Sequence, residues 1–307
     1  MPPRTSYTVV IPADKVETLR RGLAERGYEF RTVPHARFGA VSESDRVNVT
    51  LYESGKLVVQ GKGTEDFVQF YLEPCVLGEA RWGYEHVHNP EMLVRRIGVD
   101  ESGKGDFFGP LVVAGVYLDE ATARAMMELG VRDSKTISSD QRVETLARAI
   151  RERTRWDVVV IGNEKYNQLQ ARMGTVNELL GWAHARVIEN LLAKVPDCPR
   201  AISDQFGSKR LVEQALMERG RKIELVQRHK AESDLAVAAA SILARDEFVR
   251  RLRQLSQRFG VPLPKGASAA VRTAAVELVR KHGAEVLGKV AKVHFRTAKE
   301  VLAEVAS

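Results

Sequence analysis

The stretch Gly98-Val99-Asp100-Glu101-Ser102-Gly103-Lys104-Gly105-Asp106-Phe107-Phe108-Gly109-Pro110 sits between two apolar runs. Leu93 to Val99 reads as a strand before it, and Pro110 to Leu118 reads as a strand after it. Gly98 to Lys104 has the spacing of a Walker loop, but Gly105 stands where a Ser or Thr must meet magnesium. Asp100 and Glu101 also put negative charge where backbone amides should cradle phosphate. Gly103, Gly105 and Gly109 miss the dinucleotide-binding spacing by one residue. A third reading makes the carboxylates the point. Asp100 closes a strand and Glu101 enters a tight glycine turn, a common place for a hard cation. Neighbours on an extended chain face opposite ways, so both reach one centre only if the turn redirects Glu101 or presents its carbonyl.

Downstream, Trp156–Gly162, Ala201–Asp204 and Lys222–Val226 read as three more strands. Helical patterns cover about 120–129, 139–153, 176–194, 209–219, 235–258 and 268–283. Strands alternating with helices predict an α/β domain on a central five-stranded sheet over residues 93–307. Upstream, Tyr7–Ile11 reads as a strand and Ala13–Arg26 as a helix. Arg46–Tyr52 and Lys56–Gly61 form a hairpin through Glu53-Ser54-Gly55, and Thr64–Leu72 is a helix. Residues 1–75 are thus a small α+β module, and 76–92, with Gly78, Gly83 and Pro90, a linker.

The chain has 307 residues, 44% hydrophobic and 28% charged, which excludes a disordered tail or a collagen-like fibre. Two cysteines exclude a disulfide framework and fit a reducing compartment. No apolar run is long enough to span a membrane, and Met1-Pro2-Pro3-Arg4 does not open a signal peptide, so the expected location is the cytoplasm. Net charge is +7. Residues 1–88 carry 11 basic and 12 acidic side chains, whereas 250–300 carry 12 basic and 3 acidic. The excess is either a pair of solvated helix faces or a surface for phosphates. No obligate protein partner is evident.

Other carboxylates can join the loop. Asp204 ends a strand. Glu232-Ser233-Asp234 precedes the small-residue helix Ala236–Phe248, where Ser233 or Asp234 caps the helix and leaves Glu232 outside it. Gathered acids repel unless divalent cations neutralise them, which in a basic protein fits two-metal phosphodiester chemistry.

These motifs resemble the type 2 ribonucleases H, and within them the ribonuclease HIII family. The resemblance rests on Val99–Pro110, Asp133-Ser134-Lys135, Asn163-Glu164-Lys165-Tyr166-Asn167, Asp204-Gln205-Phe206 and Lys230-Ala231-Glu232. It continues through Ala238–Arg245 and Leu263-Pro264-Lys265-Gly266-Ala267-Ser268. The N-terminal module is similar to a TATA-binding-protein-like domain. The resemblance implies an RNase H-like fold with a mixed sheet, cutting the RNA strand of RNA–DNA hybrids with Mg2+ or Mn2+ and leaving 5′-phosphate and 3′-hydroxyl ends. It implies a metal centre of Asp100, Glu101, Asp204 and Glu232, with Asp234 as rival for the fourth place. Ser102, Gly103, Lys104, Gly105 and Lys135 would meet the substrate. Two departures from the ribonuclease HII branch stand out. Gly103-Lys104-Gly105 replaces Gly-Arg-Gly, and Ala267 takes the place of a Tyr that stacks at the junction nucleotide. Runs of ribonucleotides are therefore the expected substrate, with weak or no cleavage at single ones. Rival readings are an enzyme that also incises at single ribonucleotides, a non-catalytic hybrid-binding protein, and a nucleotide hydrolase.

Overall fold

The computed structural model describes residues 5–78, 93–131, 134, 137, 139–228 and 231–306, the side chain of Glu232 excepted. The chain divides into two compact units, residues 1–91 and 92–307.

The first unit is one antiparallel sheet with helices on one face. Its strands are β1 (Ser6–Val10), β2 (Glu29–Arg31), β3 (Ala36–Ser42), β4 (Val47–Tyr52) and β5 (Lys56–Gln60), in the order β1-β5-β4-β3-β2. Helix α1 (Val16–Glu25) buries Leu19 and Leu23 against Val47, Val49, Leu51, Leu57 and Val59, the inward residues of alternating strands. Helix α2 (Thr64–Phe67) runs into a π-helical segment, Val68–Leu77. Pro74 lies inside that segment, and a wide turn accommodates a residue that cannot donate an i→i−4 bond. Val76 is buried in this core, so the expected linker begins two residues inside the helical run; 79–92 lie outside the described residues. Strands β2 and β3 were not in the sequence reading. Glu29-Phe30-Arg31 is fully exposed and has no alternation to see.

The second unit holds a mixed five-stranded sheet. Its strands are β6 (Arg96–Ser102), β7 (Leu111–Leu118), β8 (Arg155–Ile161), β9 (Arg200–Asp204) and β10 (Glu224–Arg228), in the order β10-β9-β6-β7-β8. The pairs β10/β9 and β9/β6 are parallel, and β6/β7 and β7/β8 antiparallel. The helices are α3 (Glu120–Glu128), α4 (Asp140–Arg153), α5 (Asn163–Met173), α6 (Val176–Lys194), α7 (Arg210–Ala215), α8 (Leu235–Phe259), α9 (Ala269–His282), α10 (Val286–Val290) and α11 (Arg296–Ala306).

Helix α6 covers one sheet face, meeting Ile97, Val99, Leu111 and Val113. Helix α8 covers the other, meeting Val112, Ala114 and Val116. The run Ala236–Ala240 lets α8 approach β6 closely. A Cβ on Gly98 would stand 2.1 Å from the Ala236 carbonyl carbon, so only glycine fits there. Sequence reading placed the end of the first strand at Asp100; the strand continues to Ser102, because Asp100, Glu101 and Ser102 pair with Ala114, Val113 and Val112. Helix α7 is shorter than the expected 209–219, and α5, α10 and α11 were not anticipated. Among the described residues no helix is long and apolar enough to cross a membrane.

Candidate active site

Strand alternation sorts the acids at the end of β6. Ile97 and Val99 face α6, so Glu101 faces α6 too, while Gly98 and Asp100 face α8. Val99 is in register with Ser203 of β9, the last pair of that parallel register, and Asp100 and Asp204 follow directly on the two strands. Both are half-buried and share the α8 face of the sheet. The Asp204 Oδ1 accepts the Ala231 N–H at 3.2 Å, which ties the turn Ala231–Ser233, and so position 232, to the end of β9.

Glu101 is held on the opposite face. Its Oε2 lies 3.2 Å from His184 Nε2 on α6, and its Oε1 lies 3.9 Å from Lys104 Nζ. His184 is fully buried, and its Nδ1 has no hydrogen-bond partner among the described residues. Phe206 packs its ring 4.7 Å from the imidazole and carries Lys104 Nζ 5.6 Å above its own centroid. Phe206 of the Asp-Gln-Phe motif is thus the wall that orders Lys104 and His184 around Glu101.

Asp100, Glu101, Ser102, Gly103, Lys104, Gly105 and Asp204 line one open cleft of about 380 Å³. Gly103 has φ of 91°, and a Cβ there would meet the Pro110 carbonyl at 2.3 Å, so the turn requires glycine. Ser134, Ser241 and Arg245 complete the lining. Ser134 and Ser241 hydroxyls share a bond of 2.7 Å, and Arg245 donates to the carbonyls of Ser134 (2.6 Å) and Ile137 (2.9 Å). Arg245 also reaches Asp140 at 3.0 Å. Ser134 is thereby anchored to α8; Asp133 and Lys135 lie outside the described residues.

Of the two acids at the start of α8, Asp234 is committed to structure. Its Oδ1 accepts the N–H groups of Ala236 (2.8 Å) and Val237 (3.3 Å), and its Oδ2 accepts Arg96 Nε at 2.7 Å. Arg96 is fully buried and Asp234 nearly so. Among the described residues no three His, Cys, Asp or Glu side chains are grouped to hold a metal ion. Asp100 and Asp204 stand together, Glu101 is turned to His184, and the Glu232 side chain is outside the described set. The donors on offer are carboxylate oxygens at strand ends, the hard ligands that magnesium and manganese take, so their chemistry fits such an ion.

The loop itself is latched from the C-terminal segment. Asp106 accepts the Gly266 N–H at 2.6 Å, and Phe107 N–H donates to the Gly266 carbonyl at 2.9 Å. Fully buried Lys292 donates to the carbonyls of Asp106 (2.9 Å) and Gly109 (2.7 Å). Burial pushes the Lys292 ammonium down to about 7, against the opposing pull of Asp106. Sequence reading missed His184 and Lys292. The single signal for His184 was one histidine on the mostly apolar stretch 179–185; Lys292 offered none.

Known proteins resemble the chain along nearly its whole length. Residues 97–298 match the family described as Ribonuclease HII, and residues 9–76 match a domain of unknown function, DUF3378. The chain is 46% identical over 288 residues to the ribonuclease HIII of Chlamydia muridarum, covering 93% of each. It is 42% identical to that of Protochlamydia amoebophila, covering 97% of each. The crystal structure of Bst-RNase HIII in complex with Mn2+ matches with a TM-score of 0.68 and 31% identity, over 98% of this chain and 99% of that one. A mixed sheet with acids at its parallel strand ends, preceded by a small antiparallel module, and relatedness along nearly the whole chain lead to one assignment: the chain belongs to the ribonuclease HIII family and is a ribonuclease H.

Proposed function

We propose that this enzyme hydrolyses the RNA strand of RNA–DNA hybrids, leaving 5′-phosphate and 3′-hydroxyl ends, with magnesium or manganese held by Asp100, Glu101, Asp204 and Glu232. The observation that carries this is that Asp100 and Asp204, each one residue past the last Val99–Ser203 pair of parallel β6 and β9, line one cleft with the glycine loop. Bound there, divalent ions neutralise the scissile phosphate and lower the pKa of the attacking water. The protein supplies the placement. His184 holds the Glu101 carboxylate, Asp204 is oriented by the Ala231 amide, and the 102–105 backbone faces the cleft. The 2′-hydroxyl distinguishes RNA from DNA, and glycine lets backbone groups approach it closely. Lys104 and Lys135 hold phosphates. The basic residues of 250–300 add affinity that falls with salt and carries no sequence preference. The N-terminal sheet adds hybrid contacts from placed residues, since its net charge is near zero.

The test is cleavage of a labelled hybrid in magnesium or manganese, with ATP offered as a rival substrate. Hybrid that is bound and left intact marks a non-catalytic binder, and ATP turnover marks a nucleotide hydrolase. Ala267 is exposed, and its methyl cannot stack on a base or sugar. A stacking aromatic contributes ~1–3 kcal/mol. A duplex with one ribonucleotide should therefore be cut at least about fivefold less efficiently than one with four in a row. Equal rates at one and four would assign the specificity of the HII branch instead.

The loop can be probed without disturbing the fold. A Cβ on Gly105 meets nothing within 4 Å, so Gly105→Ala should leave the melting temperature unchanged. Because that methyl points where the RNA strand must approach, KM for the hybrid should rise about fivefold or more. Steady-state kinetics with a melting curve decides it, and an unchanged KM removes Gly105 from the contact surface.

A further inference from the structure

Lys292 is buried at a position where burial alone favours an apolar side chain. Taking an ammonium out of water is costly unless its hydrogen bonds repay that cost, and methionine would fill similar volume without it. Its donors are spent on one target. The Nζ bonds the carbonyls of Asp106 and Gly109, the two ends of a four-residue turn. The main chain around it grips the same turn. Lys292 N–H donates to the Phe107 carbonyl at 2.8 Å, Gly109 N–H donates to Val290 at 2.9 Å, and Phe108 bridges to Ala291.

The mount of Lys292 is also built. Asn167 of α5 donates to the carbonyls of Gly288 (3.2 Å) and Ala291 (3.0 Å) and accepts the Val293 N–H at 3.1 Å. Asn163 of the same helix reaches the Gly109 carbonyl at 2.8 Å. The Tyr166 ring lies 5.5 Å from Nζ, and its buried hydroxyl has no partner among the described residues. The charged or titratable neighbours are Asp106, whose carboxylate already serves Gly266, and His294, whose pKa is lowered by burial and then by Lys292.

We propose that Lys292 is a positioning residue: from the C-terminal segment it clamps the 106–109 turn and so sets the Gly103–Gly105 backbone against the RNA strand. This rests on the assignment of that loop to the RNA strand. The Asn-x-x-x-Asn pair of α5 then serves as the bracket that carries the clamp. The turn and Gly103 belong to one closed loop whose two ends are pinned together by the β6/β7 pairing, Ser102 with Val112, and whose tip is gripped by Lys292. Loss of the clamp loosens the tip that the strands do not hold.

Lys292→Met keeps the stem and removes the donors. KM for the hybrid should rise about tenfold, the equivalent of one strong hydrogen bond, while kcat stays within about threefold. A residue needed only for folding would lower the melting temperature and leave KM alone. Gly105→Ala, measured beside it, separates two failures. If Gly105→Ala leaves KM at the wild-type value, the loop does not meet the RNA strand and the clamp has no role in binding. If Gly105→Ala raises KM but Lys292→Met changes only the melting temperature, or only kcat, the clamp alone is wrong. Should Lys292→Met not fold, Asn167→Ala weakens the bracket without touching the loop. A KM rise of about threefold or more there supports the clamp, and an unchanged KM overturns it.

Discussion

Asp204→Asn should bind an RNA–DNA hybrid as the wild type does and cut it at least about a hundredfold more slowly. Residues that merely orient a metal ligand cost about 10–100-fold when changed, and a ligand itself should cost no less. Asparagine preserves the shape of Asp204 and its bond from the Ala231 amide, so the turn at 231–233 keeps its anchor. It removes one of two carboxylates that line the same cleft at strand ends. Like charges so placed repel, so without divalent ions the variant should melt at the same temperature as wild type or slightly higher. Single-turnover cleavage, hybrid affinity and melting without added metal make the check. Cleavage within about threefold of wild type would take Asp204 out of the centre.

The second large effect separates Glu232 from Asp234. In Asp234→Asn the amide oxygen can still cap α8, because asparagine is a good N-cap. It cannot neutralise Arg96, which is fully buried with its Nε 2.7 Å from Asp234 Oδ2. Removing one partner of a buried pair costs about 3–5 kcal/mol. For a domain of this size that lowers the melting temperature by on the order of 10 °C. Below that temperature the folded variant should cut hybrid at near the wild-type rate. Glu232→Gln should behave in the opposite way, with melting within about 2 °C and cleavage down at least about a hundredfold. If the folded Asp234→Asn protein is inactive and Glu232→Gln is active, the fourth metal position belongs to 234.

The division between these two acids shows how far residue patterns reach. A Glu-Ser-Asp run before a small-residue helix predicts one cap and one spare acid, and Asp234 is the cap. Nothing local says that the cap also neutralises an arginine 138 residues earlier. At the loop, sequence reading took Glu101 into the turn. Pairing with Val113 keeps it in the strand, and alternation then sends it towards α6. Its partner there, His184, is 83 residues away and sits in a helix whose other buried residues are apolar except for Glu189. The strand reading failed by two residues because glycine suggests a turn wherever it stands, while the neighbouring strand decides where pairing stops.

Patterns within about ten residues determined much of this protein: the strand–helix order, the glycine turn, the acids at strand ends and the basic final helices. Periodicity, turn geometry and charge are local properties, and short-range sterics express them directly. Which acids stand side by side, which one is spent on Arg96, and which lysine grips the glycine loop from 186 residues away were decided only by the packed fold. Those pairings depend on strand register and on the cost of burying charge, and both exist only once distant segments have displaced water from between them.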